Sequence, residues 1–208
     1  MQSMKALILI DIQNDFLPGG ALAVAEGDKI ISNVNKLQPY FDLVVATQDW
    51  HPANHKSFAI NHPGKSLFES IILNGLDQVL WPEHCIQGSV GAEFSSLLEM
   101  DRVEAIFRKG MDPEIDSYSG FFDNGHLKST CLADYLKAKN IKEVYLVGLA
   151  GDYCVYYSAM DALKQGFQTY FIKDATRPIN EENFEKAIND IYSSNGKIIN
   201  SDHVFENF

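Results

Sequence analysis

Cys154 stands where a short apolar run, Val144 to Val147, passes through Gly148-Leu149-Ala150-Gly151 into a helical pattern carried by Val155, Ala159, Ala162 and Leu163. A thiol at the start of a helix feels the partial positive charge of that terminus, which favours thiolate over thiol. The free N–H groups of the first turn can also bind a developing oxyanion. A free cysteine is most often a small buried hydrophobe, so a nucleophile needs partners. Asp11 closes the apolar run Lys5 to Ile10, and Lys109 closes Val103 to Arg108. A carboxylate beside the thiol can take its proton and return it to a leaving amine. An ammonium beside that carboxylate holds it in place and adds positive potential near the sulfur.

A second group lies in Asp49-Trp50-His51. In extended backbone, residues two apart point to one side. One further imidazole makes a two-histidine, one-carboxylate set with room for a ligand on a divalent metal. His55 and His84 are the candidates, with His62 behind them. These and His51 make four of the six histidines, all within one irregular segment, Gln48 to Gly91. Long irregular segments in compact domains are commonly functional, and Trp50, Phe58, Phe68 and Trp81 argue that this one is ordered.

The elements that must position these residues read as alternating strands and helices. Strands are expected over Lys5–Asp11, Asp42–Thr47, Val103–Arg108, Val144–Val147, Gln168–Ile172 and Lys197–Asn200. Helices are expected over Asp28–Leu37, Leu132–Ala138, the stretch after Cys154 and Asn180–Tyr192, with a short one at Phe94–Leu98. Ser129 or Thr130 is the expected cap of the helix at Leu132. Pro39 ends the first helix. The first strand is apolar throughout, as strands buried on both faces are. The alternation indicates an α/β fold with a mainly parallel sheet of about six strands. Ligands in such sheets sit beyond the carboxyl ends of the strands, and that rule collects Asp11, Asp49, His51, Lys109, Asp152 and Cys154 at one edge.

The chain has 208 residues, enough for one core, and a single domain over 1–208 is expected. Its net charge of −11 argues against nucleic acid and against anionic membranes as partners. Met1 to Lys5 lead into too short an apolar run for a signal peptide, and Met4 is the expected natural start. Three cysteines without a CxxC pattern fit free thiols in a reducing cytoplasm. Oligomeric state stays open, a homo-oligomer included.

The motifs also occur in a telling order. Ala6-Leu-Ile-Leu-Ile-Asp-Ile-Gln-Asn-Asp-Phe16 is followed by Pro18 to Leu22. Next come Thr47 to His55 with Ser57-Phe58, then Trp81-Pro-Glu-His-Cys85 with Gly88. Phe107-Arg-Lys-Gly110, Tyr118-Ser-Gly-Phe121 and Gly148 to Val155 complete the set. The ordered set spans nearly the whole chain and resembles the nicotinamidases (pyrazinamidases) of the isochorismatase-like cysteine hydrolase superfamily. The resemblance implies a three-layer α-β-α, Rossmann-like fold. It also implies hydrolysis of nicotinamide to nicotinate and ammonia, and of pyrazinamide, through a cysteine thioester, as a step of NAD salvage.

By the same resemblance Asp11, Lys109 and Cys154 match the catalytic triad, and Asp49, His51 and His84 the ligands of one divalent metal ion. Zinc is the first expectation, with iron or manganese compatible with the same ligand types. His55 falls where some members supply another ligand and others do not. Phe16, Trp81 and Tyr118 would wall an aromatic ring. A cis peptide is expected at Ala150–Gly151, aiming the N–H groups of Ala150 and Cys154 at the oxyanion. The chain departs from many members in having Gly151 where they have Thr.

Overall fold

A computed structural model describes residues 4–207. The expectation about Met1 to Ser3 lies outside the described residues. β1 (Met4–Ile10) and β2 (Leu43–Asp49) form where the apolar runs place them. β5 (Val103–Lys109), β6 (Ile141–Leu149), β7 (Gln168–Arg177) and β8 (Lys197–Ile199) join them in one six-stranded sheet. Its order is β5-β2-β1-β6-β7-β8 and every pairing is parallel.

The alternation along β1 separates two cores. Leu7 and Leu9 face one cluster, with Val34 and Leu37 of α1 (Ile31–Leu37) and Val204 of α5 (Ser201–Asn207). Ala6, Ile8 and Ile10 face the other, with helices α2 (Leu132–Ala138), α3 (Cys154–Lys164) and α4 (Glu181–Ser193). Both faces are covered, so a strand without polar alternation is the physical outcome, and the three layers are those expected. The side chain of Asn180 caps α4 by accepting from Asn183 N–H at 2.9 Å.

Several boundaries differ from the sequence expectations. Phe94–Leu98 is not a helix: Phe94 bridges Gln13, and Ser95 N–H donates to the Ile12 carbonyl, which uses the segment to pin the loop after β1. Gln48–Gly91 contains a hairpin, β3 (Ser70–Leu73) and β4 (Leu76–Val79). Cys131, in left-handed backbone, takes the cap position of α2, while the Thr130 hydroxyl accepts from Leu132 N–H and the Ser129 hydroxyl from Cys131 N–H. β7 runs on to Arg177, across an irregularity opposite Leu146 and Gly148. No helix among the described residues is long and apolar enough to cross a membrane.

Candidate active site

The chain reverses its direction across the sheet between β1 and β6: β2 and β5 lie to one side, β7 and β8 to the other. The crevice at such a switch, beyond the carboxyl ends, is where ligands bind in this architecture. Asp11 follows β1, Asp49 ends β2, Lys109 ends β5, and Cys154 opens α3 after β6. Gly148 lets β6 come this close: its φ is +124°, and a Cβ there would meet the Ile10 carbonyl oxygen at 2.0 Å. Asp11 itself has a φ of +46°, a rare conformation for a residue with a side chain.

Lys109 joins the parts. Its Nζ lies 3.0 Å from Asp11 Oδ2, 3.0 Å from Asp49 Oδ1, 2.9 Å from the Ser117 carbonyl and 3.5 Å from Cys154 Sγ. All of these side chains are buried. Burial raises the Asp11 carboxyl above its ordinary value, aided by the charge of Asp49, while Lys109 and Thr47 pull it down. Thr47 was not legible as a site residue, yet its hydroxyl donates to Asp11 Oδ1 at 2.6 Å. Burial likewise pushes the Cys154 thiol well up, with Lys109 working against it. The helix terminus does not by itself leave a thiolate here: the resting group is a thiol that needs a base, and the raised carboxyl of Asp11 holds a proton more readily than an ordinary carboxylate.

Beside Asp11, Lys109 and Cys154, the side chains of Asp49, His51 and His84 are all buried, with ligand atoms within 4.8 Å of one another. His51 Nε2 is 3.0 Å and His84 Nε2 3.5 Å from Asp49 Oδ2. The far nitrogens face carbonyl oxygens, His51 Nδ1 that of Gly110 and His84 Nδ1 that of Pro82, each at 2.8 Å. Each Nδ1 is therefore the donor, so that the neutral form of each ring has its Nε2 lone pair turned toward the carboxylate. Lone pairs and a carboxylate oxygen converging in this way form the donor set of a divalent cation. A proton competes for the same place: burial opposes charge on His51, but Asp49 outweighs it and raises the imidazole's proton affinity. Gln13 braces the strand end, donating to the Asp49 carbonyl and accepting from Asp49 N–H, both at 2.8 Å.

His55 is buried near His51, with ring centroids 4.4 Å apart. His62 is not brought to the site; its Nε2 bonds the Lys56 carbonyl. Asp152 also turns away, accepting from Ile179 and Asn180 N–H at 2.9 Å each, so it braces the loop before α4.

A narrow cavity opens onto Asp49, His84 and Cys154. Phe16, Trp81 and Tyr118 line it. Asp116 and Tyr153 join them. Tyr153 lies inside the Gly-Asp-Tyr-Cys motif, where its place was readable, and its ring packs edge-on to Trp81 at 4.8 Å. Ala150 and Cys154 also line the cavity. Among the described residues no acceptor takes either N–H. The cis peptide is Leu149–Ala150, one residue before the expected Ala150–Gly151. The inversion thus falls at the end of β6, while Gly151 N–H donates to the Arg177 carbonyl and anchors the next turn.

The model of the isochorismatase domain matches residues 5–203. A nicotinamidase of Acinetobacter baylyi is 51% identical over 174 residues, covering 84% of this chain and 81% of that one. The structure of an Acinetobacter baumanii nicotinamidase and pyrazinamidase superposes with a TM-score of 0.95 at 47% identity, covering 98% of this chain and 99% of the other. A pyrazinamidase of Pyrococcus horikoshii in complex with zinc gives a TM-score of 0.77 at 41% identity, covering 94% and 98%. With a thiol, carboxylate and ammonium set beside a two-histidine, one-carboxylate group, and with these relatives, the chain belongs to the isochorismatase family of hydrolases, in its nicotinamidase branch.

Proposed function

We propose that the chain hydrolyses nicotinamide to nicotinate and ammonia, with pyrazinamide as a second substrate, through a thioester on Cys154. The observation that carries the reading is the Lys109 ammonium standing against Asp11, Asp49 and the Cys154 sulfur at once. It ties a thiol–carboxylate pair to a metal-type donor set inside one aromatic-walled cavity. The ring stacks among Phe16, Trp81 and Tyr118, with Tyr153 behind them, which favours an aromatic amide over an aliphatic one.

In the first half-reaction Asp11 takes the thiol proton and the sulfur attacks the carboxamide carbon. The oxygen's developing charge is held by the N–H groups of Ala150 and Cys154. Asp11 then gives its proton to the departing nitrogen, the C–N bond breaks, and ammonia leaves. In the second half-reaction Asp11 takes a proton from water, whose oxygen attacks the thioester, and the sulfur regains a proton as nicotinate forms. Lys109 stays an ammonium throughout and keeps Asp11 aimed at the sulfur. Asp49, His51 and His84 would hold one divalent cation, zinc being the first expectation from the zinc-bound relative. Such a cation supplies an anchor for the ring nitrogen and withdraws electron density from the ring.

The test is ammonia release from nicotinamide by the purified protein, before and after chelation and after zinc, iron(II) or manganese is restored. Release that falls on chelation and returns with metal supports the whole reading. Cys154→Ala is expected to abolish turnover while still binding metal. No release from metal-loaded protein would overturn the assignment.

A further inference from the structure

We propose that Asp116 sets how tightly the site holds its divalent cation, and that His55 serves as an N–H donor beside it rather than as a ligand; this rests on the metal reading above.

The tautomer of His55 is fixed by its neighbour. Ser57 N–H donates to His55 Nδ1 at 3.1 Å, and the Ser57 hydroxyl reaches the same nitrogen at 2.7 Å. A backbone amide can only donate, so Nδ1 carries the lone pair and the proton of the neutral ring is on Nε2. This is the opposite arrangement to His51 and His84, whose Nδ1 atoms face carbonyls. Their Nε2 atoms are free to bind a cation; that of His55 carries a hydrogen. It is also fully buried and without a hydrogen-bond partner. His55, His51 and Asp116 form a second buried group whose ligand atoms lie within 4.8 Å of one another. The ring that carries the unmet N–H thus shares one buried group with a carboxylate and with His51, one of the residues proposed to hold the cation.

Charge supplies the independent argument. Asp116 is buried, and its carboxylate receives only neutral donors: Gln78 Nε2 at 3.0 Å and Ser117 N–H at 2.8 Å. Among the described residues no lysine or arginine pairs with it. Asp11 and Asp49 flank the Lys109 ammonium, so with Asp116 the described site has three buried carboxylates against one ammonium, an excess of two negative charges. A dication cancels that excess; without Asp116 the loaded site would be left positive. Buried charge that is not balanced is costly, so the Asp116 charge couples to occupancy even from outside the ligand set. Outer partners of this kind typically change metal affinity about 10- to 100-fold.

The experiment measures Zn²⁺ and Mn²⁺ binding to the full chain by chelator competition, independently of turnover. Asp116→Asn is expected to bind about 10- to 100-fold more weakly with the stoichiometry kept at one, and Asp116→Glu to bind close to the parent. His55→Asn, which keeps an N–H donor, is expected to stay within about threefold, whereas His84→Ala loses the metal. Should Asp116→Asn fail to fold, Asp116→Ser makes the same comparison. An unchanged affinity in the neutral variant, a His55→Asn protein as empty as His84→Ala, or a parent that binds no dication would each overturn the proposal. Normal metal binding without ammonia release would overturn the function proposed above and leave this inference standing.

Discussion

The Lys109 ammonium lies 3.0 Å from the Asp11 carboxylate, and solvent reaches neither. Burial works against the lysine's charge, but Asp11 and Asp49 hold its proton affinity well above the ordinary value. Replacing it by Met removes the only cation between two buried carboxylates. Lys109→Met is expected to lose activity and about 3–5 kcal/mol of stability, as broken buried pairs do, measured by urea unfolding at neutral pH. A stability change under about 1 kcal/mol would mean that the pair is not strongly desolvated.

Asp11 gives a prediction with a sign. Its folded-state proton affinity is raised, first by burial and then by Asp49. The acid limb of kcat/KM should therefore lie above the usual carboxyl value of 3.8. For stability, a raised folded-state carboxyl favours the fold below that value, and the contribution is lost as pH rises through the folded-state value. Asn mimics the protonated form. Asp11→Asn should cost about 10²–10⁴-fold or more in turnover, yet melt at or above the parent's temperature at neutral pH. A clearly lower melting temperature would contradict the direction of the shift.

Gly110 is tied by geometry to the Asp49 and His51 side chains, the candidate metal ligands. Its φ is +66°, and a Cβ there would lie 2.4 Å from His51 Cε1 and 2.9 Å from Asp49 Oδ1. Gly110→Ala is expected to cost about 1 kcal/mol or more from backbone strain and to displace the His51 ring from its bond to the Gly110 carbonyl. Weakened metal retention in dialysed protein is the readout.

Gly151, where the family resemblance leads one to expect Thr, is closely enclosed. Its α4 neighbour Phe184 fills the space: a Cβ would lie 2.7 Å from the ring and 2.8 Å from the Thr176 methyl. Gly151→Thr is therefore expected to destabilise by about 1–3 kcal/mol through overpacking, and the pair Gly151→Thr with Phe184→Leu to recover part of it. Thermal unfolding of the single and double variants decides this.

How legible the molecule was depends on range. The apolar runs at Ala6–Ile10 and Leu43–Ala46 are local signals, and both became strands with both faces covered. The site corners followed because strand ends in a parallel sheet share an edge. The β3–β4 hairpin carried the Asn74–Gly75 pair, both with positive φ, a strong turn signal. Its strands are four residues each and lack a clean buried alternation, which hid it. Asp116 and Thr47 had no local signature, because a carboxylate in a Pro-bearing loop and a threonine within a strand acquire roles only from what the fold sets opposite them. Phe94–Leu98 offered a plausible apolar spacing that tertiary pairing with Ile12 and Gln13 overrode.

The site draws on strand ends from nearly the whole length of the chain, and every pairing in the main sheet joins segments distant in sequence. During synthesis Asp11 emerges first and Cys154 long after it. No growing chain can hold the base, the ammonium and the sulfur together until the central strands have closed on one another. Until then the thiol has neither the Asp11 carboxylate nor the Lys109 ammonium beside it. Catalytic competence and completion of the sheet are thus one event, so the appearance of turnover during refolding would serve as a clock for β6 docking beside β1.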